Sequence, residues 1–497
     1  MFGSYSDLIT LRRPEHFYIG GEWLSPLGEL RLDVIYPATE AVIARPPEAS
    51  VADIERAVAA ARRAFDEGPW PRMSFTERGQ KLLEVAQLLQ RRAADFGKSW
   101  MAEMGCPVSM AEPGGFGPFG LFSYYANMVL NRTFEEVRPQ SRGDGIGIVV
   151  KEPVGVVAAI TPWNAPAALS CKIIAPALAA GCCVILKPAP ETPLFAWIMA
   201  ECMEEAGLPP GVFNFVPAGR EVGDSLVRHP GVDKVSLIGS TAAGRHIASV
   251  CGERLARVSL ELGGKSPAVV LDDIEPDEVV PRLVPHFTML AGQMCAGLTR
   301  IIVPEHRHDD YADAIGAALR SMQVGDPENP KTWVGPIAMK RQYDRVMNYL
   351  DIGRREGASV IVGGGRPRDL DVGYYVEPTL FSGDNHMTIA REEIFGPVAV
   401  LIKHRGDDDA VQIANDTDYG LNGAVYTSDP ERAYSACRRI RAGNVTHNDW
   451  VNDVTFPFGG FKNSGIGRDG GAEGLALFQE AKAIFMNAPP PSLRPAP

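Results

Sequence analysis

Five short apolar runs punctuate the middle of the chain, at 155–160, 183–187, 212–216, 234–238 and 258–262. They are continuous rather than alternating, which is the pattern of strands buried on both faces. Each gap between them suits one helix. The pattern therefore predicts repeated strand–helix units and a parallel, doubly wound sheet. A second series follows Lys265, at 268–271, 300–303, 360–362 and 398–402, and predicts a second sheet with a boundary near Gly263-Gly264. The fold class is α/β. Ahead of both sheets the periodicity is helical. Ser50 and Asp53 form a capping box, and Val51, Ile54, Val58 and Ala61 continue a helix to Phe65. A longer amphipathic helix is expected over 76–101. The segment 110–130, rich in Gly and aromatics (Phe116, Phe119, Phe122, Tyr124, Tyr125), suits a helix on the core and equally a wall of an apolar pocket. Residues 137–152 read as a two-stranded ribbon turning at Gly143-Asp144-Gly145. Its edges need a partner chain.

Composition narrows the function class. At roughly 150 residues per domain, 497 residues make two to four domains. The hydrophobic share of 45% and charged share of 22% are those of a globular protein. Net charge is −12, and no Lys/Arg-rich block is present, so no nucleic-acid partner is expected. The eight cysteines include no CxxC pair, which argues against a disulfide scaffold or a zinc ribbon and for a reducing, cytoplasmic setting. No HExxH or clustered ligand set points to a metal. Residues 153–171 carry no charge and are long enough to cross a bilayer. Pro153, Pro162, Asn164 and Pro166 break them, and they read as strand, turn and helix rather than a membrane span. The first 17 residues lack a signal-peptide core, and the Pro-rich tail from Ala488 is expected to be poorly ordered.

Doubly wound sheets bind ligands at the carboxyl ends of their strands. Chemistry is thus sought in Thr161-Pro162-Trp163-Asn164, Lys187-Pro188, Pro217-Ala218-Gly219, Gly239-Ser240-Thr241 and Glu261-Leu262-Gly263-Gly264. Gly239-Ser240-Thr241-Ala242-Ala243-Gly244 opens a helix, whose N-terminal amides suit phosphate, although it is not GxGxxG. A plain strand–helix turn explains that loop equally well, and Lys187 alone reads as a surface lysine. Cys295 sits in Gly292-Gln293-Met294-Cys295-Ala296-Gly297. Small neighbours leave its thiol approachable, and a thiol of lowered pKa attacks carbonyls. Glu261 stands between two leucines, where burial raises a carboxyl pKa toward that of a general base; the plainer reading pairs it with Lys265. The Asn164 amide suits an oxyanion donor, or a turn.

Taken together, these segments resemble the aldehyde dehydrogenase superfamily. Trp163-Asn164, Lys187-Pro188, Gly239 to Gly244, Leu260-Glu261-Leu262-Gly263-Gly264-Lys265-Ser266, Gly292-Gln293-Met294-Cys295, Glu392-Glu393-Ile394-Phe395-Gly396-Pro397 and Pro457-Phe458-Gly459-Gly460 occur in the family's order and spacing, from about residue 17 to 487. The resemblance implies a coenzyme-binding domain (1–130 and 153–263), a catalytic domain (264–465), and an oligomerisation ribbon and tail (131–152 and 478–497). It implies a homodimer or homotetramer. Catalysis would rest on Cys295 as nucleophile, Glu261 as base and Asn164 as oxyanion donor. NAD or NADP would contact Ile160, Thr161, Pro162, Trp163, Lys187, Pro190, Gly219, Gly239, Ser240, Ala243, Leu262, Glu393 and Phe395. A small-molecule aldehyde would pass through a thiohemiacetal and a thioester to the acid.

Three departures from the family pattern matter. The family often has Glu where Pro190 stands, so a 2′-phosphate meets less repulsion and NADP joins NAD as a candidate. Many members carry Lys where Ile173 stands. Lys172 comes one residue earlier, and one residue turns a helical side chain by about 100°, so a relay role does not carry over to it. The residue after Asn164, often a large aromatic, is Ala165. Ala165, Gly117 and Ala296 are expected to open a pocket that Leu121, Leu169, Met294, Trp450 and Phe458 keep apolar. The expected substrate is bulky and apolar: aromatic, terpenoid or medium-to-long aliphatic. The alternatives are a CoA-acylating aldehyde dehydrogenase, against which Glu261 argues, an inactive binding protein on the same scaffold, and a cofactor-free cysteine hydrolase.

Overall fold

All five runs of the first series are strands of one sheet in the computed structural model, which describes residues 4–112, 117–131, 134–141, 145–451, 453–488 and 490. Phe116, most of the ribbon turn and most of the Pro-rich tail lie outside the described residues. The sheet order is Gly465–Ile466, Arg257–Glu261, Lys234–Ile238, Val156–Ile160, Cys183–Lys187, Phe213–Phe215. The last five are parallel, and Gly465–Ile466 runs antiparallel along Arg257–Glu261. Val156, Val157, Ala158 and Ala159 are wholly buried, which is why the run could not alternate with polar residues. From Val156–Ile160 the chain builds out to Phe213–Phe215, then returns to lay Lys234–Ile238 on the other side. That reversal opens a crevice at the carboxyl ends of the two central strands. Residues 161–164 and 239–241 lie there.

The second sheet has the order Ser359–Val362, Thr379–Ser382, Val398–His404, Arg300–Pro304, Pro267–Val270, Asn422–Tyr426, Asn444–His447. It is parallel except for Ser359–Val362. Thr379–Ser382, Asn422–Tyr426 and Asn444–His447 escape the apolar-run criterion for physical reasons. The first is four residues long, and the other two open with Asn or Asn-Gly, which read as turns. The ribbon strands Glu135–Pro139 and Ile146–Pro153 pair antiparallel, and Gln479–Met486 adds a third strand along Ile146–Pro153.

The first helix is Val51–Asp66, with the Ser50–Asp53 capping box in place, a device worth about 1 kcal/mol. The helix expected over 76–101 is instead two, Phe75–Arg91 and Ala93–Met104. The backbone breaks at Arg92 (φ −98°, ψ 11°). The break lets that guanidinium tie Asp95 to the buried Glu201, 2.8 Å away. Both readings of 110–130 hold within the helix Pro118–Leu130: Phe122 and Tyr125 are core, Phe119 lines a cavity, and the buried Leu121 belongs to the core and lines that cavity too. The uncharged stretch 153–171 is a strand followed by the start of the helix Pro166–Ala180. Among the described residues no helix is long and apolar enough to cross a membrane.

Candidate active site

Cys295 lies on the loop before Arg300–Pro304, and that loop is bent by its backbone. Leu290, Ala291 and Gly292 take left-handed φ values of 53°, 53° and 71°. For Leu and Ala this costs about 1 kcal/mol or more each. The buried Gln293 holds the bend: its Nε2 donates to the Leu290 carbonyl (2.8 Å) and its Oε1 accepts the Ala338 amide (2.9 Å). A Cβ at Gly292 would collide with the Gly396 carbonyl, and one at Gly264 with the Cys295 carbonyl. The motif glycines therefore sit where three loops touch backbone to backbone.

Asn164 and Glu261 come from the ends of the first sheet. The Asn164 Nδ2 donates to the Gln293 carbonyl (2.9 Å), and the Asn164 carbonyl accepts Trp100 Nε1 (2.7 Å). One amide proton of Asn164 thus fixes its orientation, and the other is left for a ligand. Glu261 ends its strand beside Ile238 and is buried, with Oε2 making no protein hydrogen bond. The plainer pairing with Lys265 is not formed; Lys265 Nζ is likewise buried without a partner.

Two cavities meet at these residues. A cleft of about 700 Å3 is lined by Pro162, Trp163, Gly239, Ser240, Leu262, Glu393 and Phe395 of the expected cofactor set. A mostly apolar pocket of about 500 Å3 is lined by all eight expected pocket residues: Gly117, Leu121, Ala165, Leu169, Met294, Ala296, Trp450 and Phe458. Asn164, Leu169, Ile238, Glu261 and Cys295 line both. The other expected cofactor residues, Ile160, Thr161, Lys187, Pro190, Gly219 and Ala243, do not line the cleft. Thr161 is buried against Ser170 (3.0 Å), and the Ala243 amide is taken by Ser240. Lys187 is buried rather than on the surface, its Nζ donating to the Pro188 carbonyl at 3.1 Å and its pKa pulled down to about 8 by burial.

The cleft fits a dinucleotide. Ser240 caps the helix Thr241–Glu253, whose N-terminus opens into the cleft and suits a pyrophosphate. The Phe395 ring meets Trp163 edge-on at 5.3 Å, across the cleft. Gln342 holds that loop by donating to the Ile394 and Phe395 carbonyls, both at 2.9 Å. The Glu393 carboxylate accepts the Gly264 amide (3.0 Å), and burial pushes its pKa up to about 7. No group of three His, Cys, Asp or Glu that could hold a metal occurs among the described residues.

Sequence reasoning missed several members. Lys172 lines the apolar pocket despite its one-residue offset, its Nζ 4.3 Å from the centre of the Phe458 ring. Asp469 lines it too, buried and with Oδ2 unpartnered. Trp100, Arg245, Arg341, Arg345 and Tyr419 complete the walls. No short motif marks them, because they arrive from separate elements.

Electrostatics do not lower the thiol pKa in the resting protein. Burial, with the Glu393 and Glu261 charges behind it, pushes the Cys295 thiol up to about 12. Cys295 therefore rests as a thiol, and its attack on a carbonyl would need a base. Burial and then Asp469 hold the Glu261 carboxyl well above its ordinary range, while Lys172 and Arg468 oppose them. Burial raises Asp469 to about 6, with Lys172 and Lys234 opposing. Lys172 is thus the pocket's own counter-charge to both carboxyls. Lys172→Met is expected to move the acid limb of the kcat profile up by about one pH unit, the scale of a lost neighbouring charge. Lys172→Arg should restore it. A pH–rate profile of the three proteins checks this, and an unmoved limb would contradict it.

Comparison with known proteins gives the family. The model of the aldehyde dehydrogenase family matches residues 23–484. The chain is 42% identical to the geranial dehydrogenase of Castellaniella defragrans, over 95% of this chain and 98% of that one. It is 39% identical to a 3-succinoylsemialdehyde-pyridine dehydrogenase of Pseudomonas, over 96% and 99%. The crystal structure of a Mycobacterium tuberculosis aldehyde dehydrogenase complexed with NAD+ superposes with a TM-score of 0.92 at 42% identity, covering 95% of this chain and 97% of that one. A Pseudomonas syringae aldehyde dehydrogenase C variant, complexed with NAD+ and octanal, does so with a TM-score of 0.92 at 39% identity, covering 96% and 97%. With matches of this extent, the chain belongs to the aldehyde dehydrogenase family of NAD(P)-dependent enzymes.

Proposed function

We propose that this enzyme oxidises a bulky, apolar aldehyde to its carboxylic acid through a thioester on Cys295. The observation that carries the reading is the meeting of the cleft and the apolar pocket at Asn164, Glu261 and Cys295. Glu261, its pKa raised toward that of the thiol, takes the Cys295 proton as sulfur attacks the aldehyde carbon. The Asn164 amide and the Cys295 backbone N–H donate to the developing oxyanion. Bound NAD(P)+ supplies the hydride acceptor that turns the Cys295 thiohemiacetal into a thioester. Glu261, having passed its proton to solvent, then draws one from water, which hydrolyses the thioester and frees the acid. Trp163 and Phe395 line the cleft that opens onto this junction, in edge-on contact at 5.3 Å.

The pocket's apolar lining, with Ala165 at its mouth, favours octanal- or geranial-like substrates, the compounds in the names of two relatives. kcat/KM is expected to be higher for octanal, geranial or an aromatic aldehyde than for acetaldehyde or succinic semialdehyde. Ala165→Phe should lower it for the large substrates by about ten-fold or more, the scale of overfilling a packed site, and spare acetaldehyde. The opposite ranking in wild type would overturn the substrate class.

On the same reading, residues 1–130 and 153–263 form the coenzyme-binding domain, 264–465 the catalytic domain, and 131–152 with 478–497 the oligomerisation ribbon and tail. The outer ribbon strands keep open edges, with Phe485 74% exposed, which supports a homodimer or homotetramer. Eight free thiols support a reducing, cytoplasmic compartment.

A further inference from the structure

Two cations are buried behind the Cys295 loop, and no carboxylate of the described residues is bonded to either. Lys265 is 1% exposed, and its Nζ has no hydrogen-bond partner in the protein. Ser266, next to it, is 2% exposed, and its hydroxyl is likewise unpartnered. Arg300 opens the strand that pairs with Pro267–Val270 and is wholly buried. Its guanidinium donates to the carbonyls of Lys265, Ile413 and Ala414 and to Asn385 Oδ1, at 2.7 to 2.9 Å. The acids nearby are engaged elsewhere. Glu393 accepts the Gly264 amide at 3.0 Å, Glu392 accepts the Tyr349 hydroxyl, and Asp416 pairs with Arg391 at 2.9 Å. An ammonium buried without a counter-charge is costly. Burial, and then Arg300, pull the Lys265 pKa down to about 7, with Glu393 and Glu392 opposing.

Both unpartnered groups line one small chamber of about 10 Å3, together with Thr417, Asn422 and Arg441. Its lining holds two cations and no carboxylate. The volume is that of a single water-sized occupant, too little for a phosphate or an organic acid. Arg441 is exposed, so this wall reaches solvent and gives an ion a way in. The other side backs onto the catalytic loop. Asn422 Nδ2 donates to the Ala296 carbonyl at 3.2 Å. Gly264, beside Lys265, lies against the Cys295 carbonyl. The chamber is separate from the cleft and from the apolar pocket: neither Lys265 nor Ser266 lines them.

We propose that this chamber binds one small monatomic anion, held by the Lys265 ammonium and the Ser266 hydroxyl, which steadies the loops behind Cys295. A Lys265 that had shed its proton would need no such ion, and anion dependence separates the two states. Chloride is the probe. Thermal unfolding of the full-length protein is followed in sodium chloride and in sodium gluconate at equal ionic strength, gluconate being too large to enter. Chloride is expected to raise the wild-type Tm saturably, by about 2–3 °C at large excess, the scale for a ligand that binds only the folded state of a chain this long. Lys265→Met should lose the difference between the two salts. Ser266→Ala keeps the ammonium and should move the half-maximal chloride concentration up by about ten-fold, the scale of one hydrogen bond to a charged group. That variant decides the matter if Lys265→Met fails to fold. Equal wild-type Tm in the two salts would overturn the inference. So would a chloride effect undiminished in Lys265→Met or, where that protein does not fold, in Ser266→Ala.

Discussion

Cys295→Ala is expected to abolish steady NAD(P)H formation, with a loss of about 10^4-fold or more in kcat, since deleting a covalent nucleophile removes the reaction path itself. The other seven cysteines offer no substitute. Cys106, Cys171, Cys182, Cys183, Cys202 and Cys251 are buried, and Cys437 lines neither cavity. The fold should survive the change. Cys295 is held through its backbone, against Gly264, and through its neighbour Gln293, not through its side chain. An unchanged melting temperature and retained dinucleotide binding, beside lost turnover, are the expected signature. Activity that persists would remove Cys295 from the chemistry.

Glu261→Gln is expected to slow the first release of NAD(P)H at neutral pH, where the thiol has lost its base, and to slow the steady rate by about 10^2–10^4-fold, the range for a lost general base. The burst should approach one equivalent only where the solvent is basic enough to ionise the thiol unaided. The pH dependence has a definite sign. The Glu261 carboxyl is raised well above its ordinary range, so its basic form disappears as pH falls, and wild-type kcat should fall toward acid, with the limb above the ordinary carboxyl range. In Glu261→Gln that limb should vanish. Rapid-mixing absorbance across pH measures both effects. A steady rate equal to wild type would assign deacylation to another group, and a rate restored by CoA would favour the acyl-transferring alternative.

Much of this site was legible in the sequence, for a physical reason. Residues that must sit at strand ends are announced by the strands before them. The run 258–262 placed Glu261, and 155–160 placed Asn164. Apolar continuity is imposed by burial on both faces, so the first sheet could be read almost to the residue, as at Lys234–Ile238. Three strands of the second sheet were illegible because Asn422–Tyr426 opens with Asn-Gly and Thr379–Ser382 and Asn444–His447 are too short to show a period. The place of Lys172 in the pocket was not legible, because a rotation of about 100° per residue says nothing of how much of the helix the cavity wraps. The pocket wraps the start of Pro166–Ala180 widely enough to take in Ala168, Leu169 and Lys172 together. Asp469 and Trp100 could not be read at all, since their meaning lies in contacts between distant parts of the chain, such as Trp100 with Asn164, 64 residues on. The thiol pKa could not be read at all, because small neighbours in sequence do not report the depth of the site.

The most direct test is to trap the thioester. Glu261→Gln is mixed with octanal and NAD+ at a pH basic enough to ionise the Cys295 thiol without a base, quenched in acid, digested and weighed by mass spectrometry. The result predicted is one octanoyl group per chain, on the peptide carrying Cys295 and released by hydroxylamine, and none in the Cys295→Ala protein. Octanoyl on another residue, or its absence while NADH forms at full rate, would contradict catalysis at the junction of the two cavities.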